Sequence, residues 1–174
     1  IYNENEKRDL QIVSRVDFIK IWLKIPQSLK KMTLLQSMLE ITDFSLEIND
    51  LHPGLFESLI EVIKYYENDN INSNLAFWFY ESVVLSEMGF RINLEDNESE
   101  SRENGLSSLK EEKQCRYILQ NIINKNFEKI SYEKIPLREK KLISNYLYNQ
   151  LCYHMEGFDR LKSFKVAKNI LNDA

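Results

Sequence analysis

The stretch Leu75–Met88, LAFWFYESVVLSEM, decides the fold. Leu75, Phe77, Trp78, Phe79, Val83, Val84, Leu85 and Met88 cover nearly every direction around a helix of about 3.6 residues per turn. A helix that is apolar nearly all round belongs at the centre of a protein, wrapped by other elements. Gly89 is placed to end it with a left-handed cap. Phe77, Trp78, Phe79 and Tyr80 stand consecutively, and four rings in a row cannot all face one core. At least one of them is therefore expected to reach a second surface or a partner pocket, with core packing the larger share of the explanation.

The flanking sequence supplies the wrapping helices. Upstream, His52-Pro53 starts a helical pattern with Pro53 in the first turn, and Leu55, Phe56, Leu59, Ile60 and Ile63 share a face. Before it, Ser28 is a good N-cap, and Leu29, Met32, Leu35, Leu39 and Phe44 predict an apolar stripe. Phe18, Ile21 and Trp22 predict a further short helical stretch from Asp17 to the interruption at Pro26. Residues 1–8 are polar and expected to fray, and Leu10, Ile12, Val13 and Val16 predict an extended lead-in.

Downstream, residues 94–108 read as an exposed loop. Between Glu95 and Lys113 there are seven acids and three bases, as large an excess as the net −4 of the whole chain. Three more helices are predicted: Leu109–Asn126, one from Pro136 with Leu142, Ile143, Tyr146, Leu147, Leu151 and Met155 on one face, and one after Gly157 with Leu161, Phe164, Val166, Ile170 and Leu171. The expected architecture is all-α, a bundle of about six helices, with residues 1–16 as lead-in and 17–174 as one helical domain carrying an acidic loop at 95–108.

Composition narrows the function. The chain has 174 residues, 43% hydrophobic and 29% charged, enough to bury a core. A pI near 5.4 excludes a uniformly basic nucleic-acid coat, so any DNA contact must come from a local patch. Four Gly and three Pro argue against an all-β fold with many tight turns. No apolar run reaches membrane-spanning length and no signal peptide is evident, which makes the cytoplasm the expected location.

No Gly-rich phosphate loop, GxSxG or HExxH pattern is present, and an enzyme is not expected. Cys115, Cys152, His52 and His154 are too few and too scattered for a zinc finger, and no metal or cofactor is expected. Cys152 and His154, two residues apart, face away from each other on a helix. Both thiols read as core or half-buried groups. Positive charge gathers in three places. Lys20, Lys24, Lys30 and Lys31 have no acid between them. Arg138, Lys140 and Lys141 form a second group, and Arg160, Lys162, Lys165 and Lys168 a third. Cations spaced along helix faces suit phosphates, although lysines on helices also serve solubility.

Several segments, in order, resemble the C-terminal helical part of the recombination mediator RecO. Leu10-Gln11-Ile12 resembles the exit from that family's N-terminal OB-fold. His52-Pro53-Gly54-Leu55-Phe56 resembles its N/H-P-x-L-F helix start. Tyr80-Glu81, Met88-Gly89-Phe90 and Leu94 resemble its F-E-L-x-L-L-x-x-L-G-[YF]-x-P-x-L stretch. Gly157–Ser163 resembles its closing G-x-x-x-L-K-S. The chain departs from the pattern at Ile92, where the family's proline stands, and at Asn97, where zinc-binding members carry their first cysteine. This is similar to a zinc-free, bacteroidete-like branch, with the OB-fold not in the chain.

The resemblance implies a non-enzymatic mediator of DNA repair and recombination, bacterial and nucleoid-associated. Such a mediator binds single- and double-stranded DNA and the acidic C-terminal tail of SSB, and with RecR helps load RecA onto single strands. Arg160, Lys162 and Lys165, followed by Lys30 and Lys31, are then the expected DNA contacts. An apolar slot of Phe56, Leu59, Ile63 and Trp78, with Lys64 on its rim, is the expected partner site. A helical protein–protein adaptor unrelated to DNA is the alternative.

Overall fold

A helix without a polar face must be covered on every side. In the computed structural model, which describes residues 2–3, 12–69, 71–94, 112–130 and 133–172, that is what the chain provides. α3 (Ser73–Glu87) is buried at every position from Ser73 to Leu85. Around it lie α1 (Leu29–Ser45), α2 (Pro53–Tyr66), α4 (Lys113–Ile123) and α5 (Leu137–His154). α6 (Lys162–Asn172) closes the bundle against α1 and α5. Single 3-10 turns at Ile25–Gln27, Phe127–Ile130 and Phe158–Arg160 connect these elements. The fold is all-α, with six α-helices among the described residues, and the only described strands are the two-residue pair Tyr2–Asn3 and Ile12–Val13. Tyr2–Asn3 is thus paired, where fraying was expected; the 95–108 loop lies outside the described residues.

The aromatic run corrects the expectation drawn from it. Phe77, Trp78, Phe79 and Tyr80 are all buried, and none reaches a second surface. Successive positions on a helix are about 100° apart, so the four rings enter four different interfaces. Phe77 meets Phe164 of α6, with ring centroids 5.8 Å apart. Trp78 donates from Nε1 to Ser144 Oγ of α5 at 3.0 Å. Phe79 stacks on Phe127, just after α4, at 4.6 Å. The Tyr80 hydroxyl meets the Thr42 hydroxyl of α1.

α1 buries a different face from the one predicted. Ser28 caps it, accepting from the Lys31 N–H at 3.3 Å. The buried positions are Leu34, Ser37, Met38 and Ile41, while Leu29 (80% exposed), Met32, Leu39 and Phe44 face outward and Leu35 is half-buried. α1 carries apolar residues on two faces, and packing against α3 and α6 selects one of them. Val166 of α6 is likewise exposed; Phe164, Ala167 and Leu171 make that helix's inner face.

The helix expected from Asp17 does not form. So short a run cannot nucleate without a core to face, and the chain turns helical only at the single 3-10 turn Ile25–Gln27, with Pro26 in it. Phe18 and Ile21 are exposed, and Trp22 packs partly on the core with the Lys20 ammonium 4.1 Å from its ring centroid. The segment is instead tied down at its end. Glu67 accepts the N–H groups of Lys24 (3.0 Å) and Ile25 (3.3 Å), and the Lys24 ammonium pairs with Asp69.

The N-terminus of α6 is capped by a residue from another helix. The Glu40 carboxylate of α1 accepts the backbone N–H groups of Lys162 (3.3 Å), Ser163 (3.0 Å) and Phe164 (3.4 Å), and the Ser163 hydroxyl. Partial burial works against ionisation of Glu40, but these bonds outweigh it and hold the carboxyl below its ordinary range. Its contribution is therefore present above the unfolded value of about 4.3 and is lost as pH falls through the lower folded value. Glu40→Ala is expected to cost about 1–2 kcal/mol near neutral pH, the scale of a lost N-cap. Denaturant unfolding should show that difference shrinking toward about pH 3.

Candidate functional site

The five expected DNA contacts fall into two groups along α1. Arg160, Lys162 and Lys165 are exposed around the start of α6, beside Glu40. Lys30 and Lys31 lie near the start of α1, about 15 Å along the helix at 1.5 Å per residue. Lys31 is committed to structure: its ammonium donates to the carbonyls of Tyr66 (2.5 Å) and Asn68 (2.8 Å), closing the end of α2. Lys168 lies 3.8 Å from the Tyr148 ring centroid, and Arg138 pairs with Glu112 at 2.5 Å. Of the expected DNA contacts, Arg160, Lys162 and Lys165 are exposed, at the turn before α6 and in its first turn.

The five residues expected to form a partner slot do not form one. Phe56 (67% exposed) and Lys64 face solvent on α2, and Leu59 and Ile63 are half-buried against the core. Trp78 has no exposed surface, because its indole points at Ser144 of α5, and offers no wall to a ligand.

A cleft does open between α2 and α3, but on the side where α4 and the segment 90–94 close it. It encloses about 180 Å³. Phe79, Val83, Ile92 and Ile123 form apolar walls, and Ser58 and Ser86 add hydroxyls. Glu87, Arg91 and Lys125 supply its charge. A wider groove of about 470 Å³ continues it past Leu94, Gln120 and Asn124.

Local geometry explains the two cations. Gly89, at φ +87°, turns the chain after α3 so that Arg91 follows at the cleft. Lys125, at φ +56°, takes the left-handed position that ends α4, with its N–H bonded to the Ile122 carbonyl at 3.0 Å. Sequence reading overlooked both residues. The available signal was the glycine that re-aims the chain before Arg91; Lys125 fell inside the helix expected over Leu109–Asn126, which ends at Ile123.

With this geometry established, comparison with known families is decisive. Residues 26–168 match the family described as recombination protein O, C terminal. The chain belongs to that family. Comparison with curated proteins and with solved structures gives no match. Family membership places the chain in recombination and repair, among mediators not known as enzymes.

The RecO-like motifs take on physical roles in this structure. In His52-Pro53-Gly54-Leu55-Phe56, Pro53 opens α2 and Leu55 is buried beneath it. In Leu161-Lys162-Ser163, the backbone of the last two residues and the serine hydroxyl receive Glu40, while the Lys162 side chain is left exposed. The Tyr80-Glu81 pair lies wholly inside. Neither Glu81 carboxyl oxygen has a hydrogen-bond partner among the described residues. Burial drives its carboxyl well above the ordinary range, opposed by the nearby Lys168 charge.

The remaining reactive groups are quiet. Cys115 is buried and its thiol is pushed up to about 11, chiefly by burial. Half-buried Cys152 is also raised by burial, and Tyr148, bonded to it, is pushed up to about 12. His154 stacks on Phe90 at 4.1 Å, and burial lowers its proton affinity. Among the described residues no group of three or more His, Cys, Asp or Glu is arranged to hold a metal ion, and no helix is long and apolar enough to cross a membrane.

Glu81 generates a pH prediction. A carboxyl with a raised folded value loses stability to ionisation as pH climbs from about 4.3 toward that value. Glu81→Gln, neutral at all pH, should therefore gain melting temperature relative to the parent on going from about pH 5 to 8, measured by calorimetry at both.

Proposed function

We propose that the chain is the helical part of a non-enzymatic recombination mediator of the bacterial cytoplasm. In this reading it binds single- and double-stranded DNA, receives the acidic tail of SSB, and helps RecR load RecA. The observation that carries the reading is the cleft beside α3: apolar walls suited to a terminal apolar residue, with Arg91 and Lys125 at its mouth for the acidic residues before it. The partner site is accordingly assigned to this cleft instead of to Phe56, Leu59, Ile63, Lys64 and Trp78. DNA is assigned to Arg160, Lys162 and Lys165, with Lys30 in support and Lys31 set aside for its structural bonds. A helical adaptor is the second reading, favoured by the exposed row Leu29, Met32 and Leu39 on α1.

A titration with a fluorescent SSB-tail peptide at two salt concentrations tests the first assignment. Micromolar, salt-weakened binding is expected. Arg91→Glu and Lys125→Glu should each weaken it about tenfold, the scale of a reversed charge in an interface. Peptide binding that both reversals leave unchanged would move the site elsewhere. For DNA, Lys162→Glu should lower affinity and reduce the slope of log K against log salt by about one.

A further inference from the structure

Glu87, the last residue of α3, belongs to two neighbourhoods. Its side chain lines the cleft with Arg91 and Lys125. Its Oε2 also meets His52 Nδ1 at 3.4 Å, while the other ring nitrogen, Nε2, lies 3.0 Å from Asp50 Oδ2. Gly54 makes room for this arrangement: a Cβ there would come within 2.6 Å of Glu87 Oε1. The carboxylate is thus laid across the first turn of α2, between an imidazole and the cleft.

A neutral imidazole has one N–H and one lone pair. It can donate to Asp50 or to Glu87, and the second carboxylate then faces a lone pair. Only the imidazolium donates to both. Carboxylates on both ring nitrogens therefore favour the protonated ring, and the bonds to Glu87 and then Asp50 raise its proton affinity against a smaller opposing effect of burial. The charged groups facing the ring are Asp50, from the connection before α2, and Glu87, from α3. Those facing the cleft are Glu87, Arg91 and Lys125.

We propose that His52 is a proton-dependent gate on anionic ligands of this cleft: its imidazolium neutralises Glu87 and admits an acidic chain end between Arg91 and Lys125. Loss of the proton leaves Glu87 as an uncompensated negative charge on the cleft wall. The proposal rests on the reading of the cleft as a receptor for an acidic tail. By linkage, a bound anionic peptide also strengthens the hold of His52 on its proton. The groups are partly exposed, so the effect is modest, about three- to fivefold in Kd.

The test titrates the full chain with a labelled acidic peptide ending in phenylalanine, at about pH 5.5 and 8.5, on either side of the histidine range. The parent should bind about three- to fivefold more weakly at the higher pH. His52→Gln should bind weakly at both, and Glu87→Gln tightly at both. An NMR titration of the His52 ring gives an independent reading: its pKa should drop in Glu87→Gln and rise when peptide is added to the parent. Parent binding that does not change with pH overturns the gate and leaves the receptor reading intact. Absence of binding by both the parent and Glu87→Gln at either pH removes the receptor reading and the gate with it.

Discussion

A central helix with no polar face is the constraint on which this structure depends. From Ser73 to Leu85 α3 offers no side to water, so no arrangement of two layers can satisfy it; the remaining helices must enclose it. The enclosure is specific because each ring has its own partner. Phe77, Trp78, Phe79 and Tyr80 lock α6, α5, the turn after α4, and α1 to four faces of one cylinder. The indole N–H and phenol hydroxyl find hydroxyl partners at Ser144 and Thr42, so two of the four large buried rings carry their polar atoms inside without leaving them unpaired.

Enclosure of this kind leaves helix ends to be satisfied from a distance. Lys31 of α1 closes α2, Glu40 of α1 opens α6, and the Asn74 side-chain amide donates to the Leu171 carbonyl near the end of α6 at 2.8 Å. Each of these bonds joins residues far apart in sequence. They fix the order in which helices neighbour one another, which apolar packing alone specifies poorly. Glu81 is enclosed with neither carboxyl oxygen partnered among the described residues, and burial favours its protonated form.

These facts explain what was legible in the sequence. α3 was legible because its composition admits one environment only. Ser28, Pro53 and Gly89 were legible because caps and first turns depend on neighbours within a few residues. The buried face of α1 was not, since Leu29, Met32 and Leu39 compete with Leu34, Met38 and Ile41 at the same spacing, and α3 and α6 decide between them. The RecO-like order of motifs was legible, and the family match confirms it. The cleft was not. Its walls come from α2, from α3 and, beyond residues 95–111, from α4, and no local pattern announces that Val83 and Ile123 will face each other across a gap. Trp78 was misplaced for the same reason: which side of α3 points at the gap depends on where α5 docks.

The enclosed helix also separates the two candidate surfaces. Phe79, Ser82, Val83, Ser86 and Glu87 are the α3 residues at the cleft, and the α2 and α4 sides close around them. Phe77, Trp78 and Tyr80 point instead to α6, α5 and α1, the helices that bear Arg160, Lys162 and Lys165 or lie beside them. On the proposed reading, a nucleic-acid strand on the α6 side and an acidic peptide in the cleft therefore meet the protein on different sides of α3. Neither ligand displaces the other by contact. On that reading α3 lets both ligands be held at once, because it is covered by α6, α5 and α1 on one side and bordered by the cleft on the other.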